Sequence, residues 1–168
     1  MNIHYVEGDA TAPVARPACI VHCCNDIGGW GAGFVLAVSR RWPHVEQRYR
    51  TLPVKMGLPL ELGYVQVVPA ELGITVFNLI GQRGIGPDKK GDPPIRYEAI
   101  DAGLGKIGRI IRSRNVWSGP DGPTSLHLPR MGCGLAGGSW ARIEESLEKH
   151  LKEVDVYVYD FPGGHYNP

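Results

Sequence analysis

The stretch Ala18 to Trp42, ACIVHCCNDIGGWGAGFVLAVSRRW, constrains the fold more than any other part of the chain. It reads as strand, glycine-rich turn and helix. Ala18 to Cys24 is a short apolar run that ends in the polar pair Asn25–Asp26. Gly28, Gly29, Gly31 and Gly33 follow within six residues, and Phe34 to Val38 is apolar again. Glycines at a strand-to-helix turn let main-chain N–H groups approach a ligand with no Cβ in the way. The helix start adds unpaired N–H groups and a partial positive charge. Such a turn suits a phosphate or pyrophosphate. A glycine-rich connection with no ligand is the plainer reading, and a second turn of the same kind at Arg130 to Gly138 weighs against it. Neither turn spells a familiar nucleotide fingerprint. GxxxxGK[ST] is absent, and Gly29-x-Gly31-x-Gly33 lacks the GxGxxG spacing. About 20 positions further on, where an acidic ribose-binding residue would stand, the chain reads Arg-Tyr-Arg-Thr-Leu-Pro.

At 168 residues there is room for a proper core, and residues 1–168 read as a single domain. Hydrophobic residues make up 43% and charged residues 21%, ordinary proportions for a globular protein. A net charge of +1 gives no broad footprint that demands a nucleic acid, and a local basic patch stays open. Glycine (23) and proline (14) cluster at turns, which reads as a loop-rich domain rather than disorder. No apolar run approaches the roughly 20 residues that span a membrane, and no N-terminal stretch combines basic, apolar and cleavage regions. The expected location is therefore cytoplasmic, with no membrane partner. Cys19, Cys23, Cys24 and Cys133 are then expected to stay reduced. Cys23 and Cys24 are adjacent on a strand and point to opposite faces, and CxxC is absent. No metal and no other cofactor is expected.

In chain order, Asn2 to Val6 reads as a first strand closed by Glu7-Gly8-Asp9-Ala10. Asp9 could accept a hydrogen bond from a ligand amine or cap a turn. The helix after the glycine turn should end near Arg41–Trp42, because Pro43 disfavours helical geometry before it; Pro43 to Tyr49 begins a second short helix. Tyr64 to Val68 and Ile74 to Ile80 are rich in β-branched and aromatic residues and bounded by Gly63, Pro69 and Gly73, which predicts two strands. Gly81 to Pro94 reads as a long loop of the kind that is functional or mobile. Ile95 to Arg114 is a helix by the spacing of Ile100, Leu104, Ile107 and Ile111. Gly103, Gly105 and Gly108 weaken it by up to ~1 kcal/mol each relative to alanine. Leu126 to Leu128 is a short strand, Ser139 a candidate N-cap, and Trp140, Ile143, Leu147 and Leu151 one apolar helix face. Glu145/Lys149 and Glu148/Lys152 are spaced for i,i+4 pairing. Val154 to Tyr159 is the last strand. Alternating strands and helices predict a layered α/β domain with a largely parallel or mixed sheet. Ligands in such sheets sit outside the carboxyl ends of the strands, where two glycine turns could clamp a diphosphate between them.

Taken in order, YVEGDA, HCCNDIGGWGAGF, NLIGQR, PRMGCGLAGG and VYVYDFP resemble the macrodomain family, the ADP-ribose-binding module. The resemblance covers nearly the whole chain. Within the family it lies nearest the branch of the terminal ADP-ribose protein glycohydrolase, the DNA-ADP-ribose-removing antitoxin and the yeast ADP-ribose 1″-phosphate phosphatase. It implies a three-layer α/β/α fold around a central mixed, largely parallel sheet. By that resemblance Asp9 and Ala10 would meet the adenine, with Tyr159, Asp160 or Phe161 beside it. Gly31, Ala32 and Gly33, together with Gly132, Cys133, Gly134, Leu135 and Ala136, would hold the diphosphate through main-chain N–H groups. Asn25 would face the distal ribose.

The sequence departs from the glycohydrolase at the two positions that matter most to its chemistry. Where that enzyme's lysine follows the middle strand, this chain has Gln82, with Arg83 next; where its second loop carries an aspartate, this chain has Ala136. Glutamine forms no Schiff base and alanine moves no proton, so the lysyl-intermediate route is closed. Hydrolysis would then need a positioned water, with loop N–H groups and Arg83 stabilising charge. Three side chains remain as candidate catalysts beside Asn25 and Gln82. His22 could titrate near neutrality, or be satisfied inside its strand. Asp26 could be a base, or a turn carboxylate bonded to local backbone. Cys133, beside a helix N-terminus, could have a lowered pKa, or be a small residue that a tight loop tolerates. Arg130 and His127 read as structural. The expected function is an ADP-ribosyl hydrolase that removes mono-ADP-ribose from acidic protein side chains or from thymidine of single-stranded DNA. A non-catalytic ADP-ribose reader is the alternative that Gln82 and Ala136 favour. An ADP-ribose 1″-phosphate phosphatase is the one suggested by His22 and the NxxGxWGxG spelling. The expected partners are ADP-ribose and ADP-ribosylated protein or single-stranded DNA.

Overall fold

A computed structural model describes residues 2–113 and 124–164. Six strands, β1 (Ile3–Glu7), β2 (Ala18–Asn25), β3 (Val65–Glu71), β4 (Ile74–Gln82), β5 (Ser125–Pro129) and β6 (Val156–Asp160), form one sheet in the order β1-β6-β5-β2-β4-β3. Every neighbouring pair is parallel except β3 with β4. The helices are α1 (Phe34–Arg41), α2 (Pro43–Arg50), α3 (Leu52–Met56), α4 (Tyr97–Arg112) and α5 (Trp140–His150).

Strand alternation divides the core into two layers. Cys19 and Val21 of β2 and Phe77 and Leu79 of β4 face Ile100, Leu104 and Ile107 of α4 and Ile143 and Leu147 of α5. Ala18, Ile20 and Cys24 of β2 and Ile74, Val76 and Ile80 of β4 face Val38, Val45, Tyr49 and Leu52 of α1 to α3. The sheet therefore lies between two helical layers, as the three-layer expectation had it. The second cluster takes its strand residues from β2, β3 and β4 alone. Over β5 and β6 the same face carries aromatic rings instead: Tyr157 stacks on His4 on one side and on His127 on the other, with 4.8 Å between centroids in each case.

Several boundaries differ from the sequence reading, each for a physical reason. β3 runs on through Pro69 to Glu71, because β3 is the sheet's edge and Pro69 has no outer partner to donate to. β4 continues through Gly81 to Gln82. Gly81 belongs in the strand because a Cβ there would lie 2.3 Å from Ile100 Cδ1 and 2.8 Å from Cys23 Sγ. α4 starts at Tyr97, since Ile95 is held in a bridge with Gln82; Arg114 lies outside the described residues. α3 went unforeseen. Lys149 binds Asp101 of α4 at 3.0 Å rather than Glu145, and Lys152 falls beyond the end of α5, out of helical register with Glu148.

The glycines of α4 allow close approach rather than merely weakening the helix. A Cβ at Gly103 would stand 2.0 Å from Leu79 Cδ1, and one at Gly108 2.6 Å from the carbonyl oxygen of His150. Gly108→Ala should therefore destabilise the protein by about 1–3 kcal/mol despite alanine's better helix propensity, since main chain cannot swing aside. Urea unfolding checks this, and a midpoint equal to or above that of the parent would contradict it.

Candidate functional site

All five parallel strands point their carboxyl ends to one rim, and a cleft of about 680 Å³ opens there, within the range of small-molecule sites. Its first glycine loop is shaped by Asn25, the last residue of β2. Asn25 Oδ1 accepts the N–H groups of Gly29 (2.8 Å) and Ile27 (3.2 Å), and Asn25 Nδ2 donates to Gly29 O (2.8 Å). Tyr49 Oη, buried in α2, donates to the Asn25 carbonyl at 2.6 Å. Gly33 takes φ +79° at the N-cap of α1, a left-handed conformation that favours glycine.

The second loop folds on itself. Gly138 N–H reaches Gly132 O (2.7 Å), and Gly137 N–H reaches Gly134 O (3.0 Å). Ile95 Cδ1 fills the space where Cβ atoms of Gly132 or Gly138 would stand, 2.5 Å from each. The two loops meet: a Cβ on Gly33 would lie 3.8 Å from Leu135 Cδ1. Among the described residues, the N–H groups of Gly31, Ala32 and Gly33, and those of Gly134, Leu135 and Ala136, donate to no protein acceptor. All six residues line the cleft. Two rows of unpaired dipoles on facing loops form a place for an anion that needs no charged side chain.

Asp9, Ala10, Tyr159 and Phe161 line the cleft at the β1–β6 side, and Asn25 and Gln82 line it at β2 and β4, where they are paired in register. Asp9 caps its own turn, with Oδ1 accepting the N–H and the hydroxyl of Thr11 at 2.8 Å each. Its Oδ2 has no partner among the described residues. Gln82 Nε2 donates to Gly84 O at 3.0 Å, and its Oε1 receives the Cys23 thiol at 3.9 Å. Among the described residues, each of the Asn25 and Gln82 amides therefore keeps one N–H without a protein acceptor.

Asp26, Cys133 and His22 take the plainer of their two readings, and the expected role of Arg83 needs correction. Asp26 is buried and off the cleft wall. Its Oδ1 takes Gly84 N–H (2.7 Å), its N–H reaches Gln82 O and its carbonyl takes Leu60 N–H, so it ties three segments together. Arg83 is exposed and also off the wall. Cys133 is buried, and burial pushes its thiol up to about 11, the reverse of an activated thiolate. Its N–H is bonded to Arg130 O (3.2 Å) and it is off the cleft wall, so it is not the diphosphate donor that the resemblance implied. His22 does line the cleft, but burial lowers its pKa to about 4, well below neutrality. Its Nε2–H donates to Asn78 Oδ1 (2.6 Å), Asn78 Nδ2 to Gln66 Oε1 (2.9 Å) and Gln66 Nε2 to Arg48 O (3.0 Å). These three residues lie in one cross-strand row, so the imidazole is neutral with its proton on Nε2.

Sequence reasoning missed Trp30, Leu36, Ile85 and Arg40 as wall residues. Trp30 stands inside the glycine turn, its ring perpendicular to that of His22 at 5.4 Å between centroids. Arg40 lies seven residues after Gly33, two turns up the same face of α1, and that spacing was the available signal. Among the described residues no group of three or more His, Cys, Asp or Glu could hold a metal ion, and no helix is long and apolar enough to cross a membrane.

No family model matches the chain. A macrodomain protein from Streptomyces coelicolor of solved structure is 44% identical, with 95% of this chain and 99% of that one covered and a TM-score of 0.76. The chain belongs to the macrodomain family. Chromodomain-helicase-DNA-binding protein 1-like of Danio rerio is 33% identical over 93% of the chain. The macrodomain described here spans 15% of that protein's length and 18% of its mouse counterpart's. An ADP-ribose 1″-phosphate phosphatase of Candida glabrata is 25% identical, with 95% of this chain and 98% of that one covered.

The two buried histidines make this macrodomain sensitive to acid. His22 and His127 are both lowered to about 4 by desolvation, against about 6.5 in the unfolded chain. The unfolded state binds more protons between those values, so the stabilisation is complete above about pH 6.5 and is lost as the pH falls toward 4. Each histidine contributes up to about 3 kcal/mol of this dependence. Urea midpoints measured at intervals from pH 7 to 4.5 should fall steadily, and a flat profile over that window would contradict the assignment.

Proposed function

We propose that the cleft binds ADP-ribose and that the protein is an ADP-ribosyl hydrolase, acting on mono-ADP-ribose joined to acidic protein side chains or to thymidine of single-stranded DNA. The observation that carries this reading is the pair of unpaired N–H rows meeting at Gly33 and Leu135. They suit a diphosphate, and the walls on either side are the right kind for a nucleoside and a second ribose. The C. glabrata relative, named for an ADP-ribose derivative, supports the same ligand class. Asp9 Oδ2 would accept the adenine amine, and Tyr159 and Phe161 would flank the ring. The free N–H groups of Asn25 and Gln82 would meet the distal ribose.

No lysine stands at Gln82 and no carboxylate at Ala136, so catalysis rests on binding geometry. Water attacks the anomeric carbon, the bond to the carboxylate or base breaks, and the leaving group departs with the electron pair. The loop amides hold the diphosphate fixed, and the Asn25 and Gln82 N–H groups orient the ribose and the water. The departing carboxylate or base takes up the water's proton, so the step needs no side-chain base. The C. glabrata relative also favours a second reading, phosphate-monoester cleavage of ADP-ribose 1″-phosphate.

Calorimetry with ADP-ribose, run beside turnover assays on glutamate-linked ADP-ribosyl protein, thymidine-ADP-ribosylated oligonucleotide and ADP-ribose 1″-phosphate, tests these readings together. Binding with turnover of either of the first two substrates is expected. Turnover of the phosphate ester alone makes the protein a phosphatase, binding without turnover makes it a reader, and no binding overturns the proposal. Gly134→Val should weaken ADP-ribose at least about tenfold, ~1.4 kcal/mol, with no loss of stability. A Cβ there meets nothing within 4 Å, so the fold has room for it while the ligand loses space.

A further inference from the structure

We infer that His127, which does not line the cleft, is a positioning residue that sets the Asp9–Ala10 wall of the cleft through a hydrogen-bond relay with a fixed proton direction; the inference rests on the ADP-ribose reading of that wall. The relay begins and ends on main chain of the same β1–β2 connection. Val14 N–H donates to Tyr159 Oη at 2.9 Å, and Tyr159 Oη lies 2.8 Å from His127 Nδ1. His127 Nε2 lies 2.8 Å from Ser125 Oγ, which reaches the carbonyl oxygen of Pro17 at 3.3 Å. Tyr159, His127 and Ser125 are all buried, and among the described residues no buried side-chain N or O atom lacks a partner.

Only one arrangement of protons uses every group. Pro17 O accepts and cannot donate, so Ser125 Oγ–H points to it and Ser125 Oγ accepts from His127 Nε2–H. His127 Nδ1 is then a bare lone pair that takes the Tyr159 hydroxyl proton, and Tyr159 Oη is free to accept Val14 N–H. With the tautomer reversed, Tyr159 Oη would accept from both Val14 and His127, and its own buried proton would have no acceptor. The imidazole is also clamped in plane, stacked on Tyr157 at 4.8 Å and 7°.

This clamp matters because, among the described residues, the second core cluster includes nothing from β5 or β6. The β1–β2 connection is the cover there, and the relay grips it at Val14 and Pro17. The same connection carries Asp9 and Ala10 into the cleft. A His127 that could not accept a proton would leave the Tyr159 hydroxyl unanchored, weaken its hold on Val14 and let that wall shift, while the glycine loops stayed as they are.

The experiment compares the parent with His127→Phe, which keeps the stack on Tyr157 but accepts nothing, and His127→Asn, which retains an acceptor near Nδ1. In the parent, long-range proton–nitrogen NMR should show His127 protonated on Nε2 and bare on Nδ1, and the Val14 amide should be protected from exchange. Val14 protection should drop at least tenfold in His127→Phe and recover in part in His127→Asn. ADP-ribose affinity should follow the same order, falling about tenfold and then recovering. A proton on Nδ1, or unchanged Val14 exchange in His127→Phe, overturns the inference. Equal loss of affinity in both variants also overturns it and leaves His127 merely structural. The NMR and exchange measurements need no ligand, so a parent that fails to bind ADP-ribose would sink the functional reading alone.

Discussion

One carboxamide holds the cleft open. Asn25 ends the central strand, and its side chain spends both its oxygen and one N–H on the next four residues, while Tyr49 in α2 fixes its carbonyl from behind. With the turn closed at Gly29, the chain must pass Trp30 and enter α1 at Gly33, leaving the intervening N–H groups turned away from any internal acceptor. Asp26 then fastens the adjoining segments, at Leu60, Gln82 and Gly84, to the same point. The site is therefore an outcome of how β2 ends, and the loops around it inherit their shape from that end.

The charge economy of the cleft follows the same logic. Its two buried histidines, one on the wall and one behind it, are neutral, and Arg130, the cation nearest the second loop, is occupied in a two-pronged pair with Asp160 under the rings of Tyr5 and Trp140. Fixed main-chain dipoles do not have to be dehydrated like an ammonium or a guanidinium before they meet a diphosphate. They also cost no side-chain entropy when the ligand arrives. A cleft built this way suits a ligand held by shape and dipole orientation, with Arg40 as an exposed cation on its wall.

The layered fold, the parallel sheet and both glycine loops were legible in the residues, because strand alternation, helix spacing and clustered glycines are local signals. What stayed hidden depended on partners distant in sequence. Gly81 looked like the start of a loop because nothing nearby reveals Ile100 and Cys23 pressing on it. Asp26 and Cys133 were left with two readings each, because residue type alone does not show burial or a satisfied carboxylate. His22 was legible as a cleft residue but not as one held neutral, since Asn78 and Gln66 lie on other strands. His127 read as structural, and only the three-dimensional neighbours show which proton it carries.

The close approach of α4 to the sheet has a further consequence. With Gly81, Gly103 and Gly108 each backed by an atom nearer than a side chain tolerates, the rear of this molecule has no slack. Enlarged residues cannot accumulate there, and the strand ends beneath the ligand cannot drift apart. Descendants of this sequence that acquire a taste for a different target would have to do so at the mouth, where Ile85, Leu36 and Phe161 stand exposed and replaceable. Evolution in such a protein would redecorate the doorway and leave the room alone.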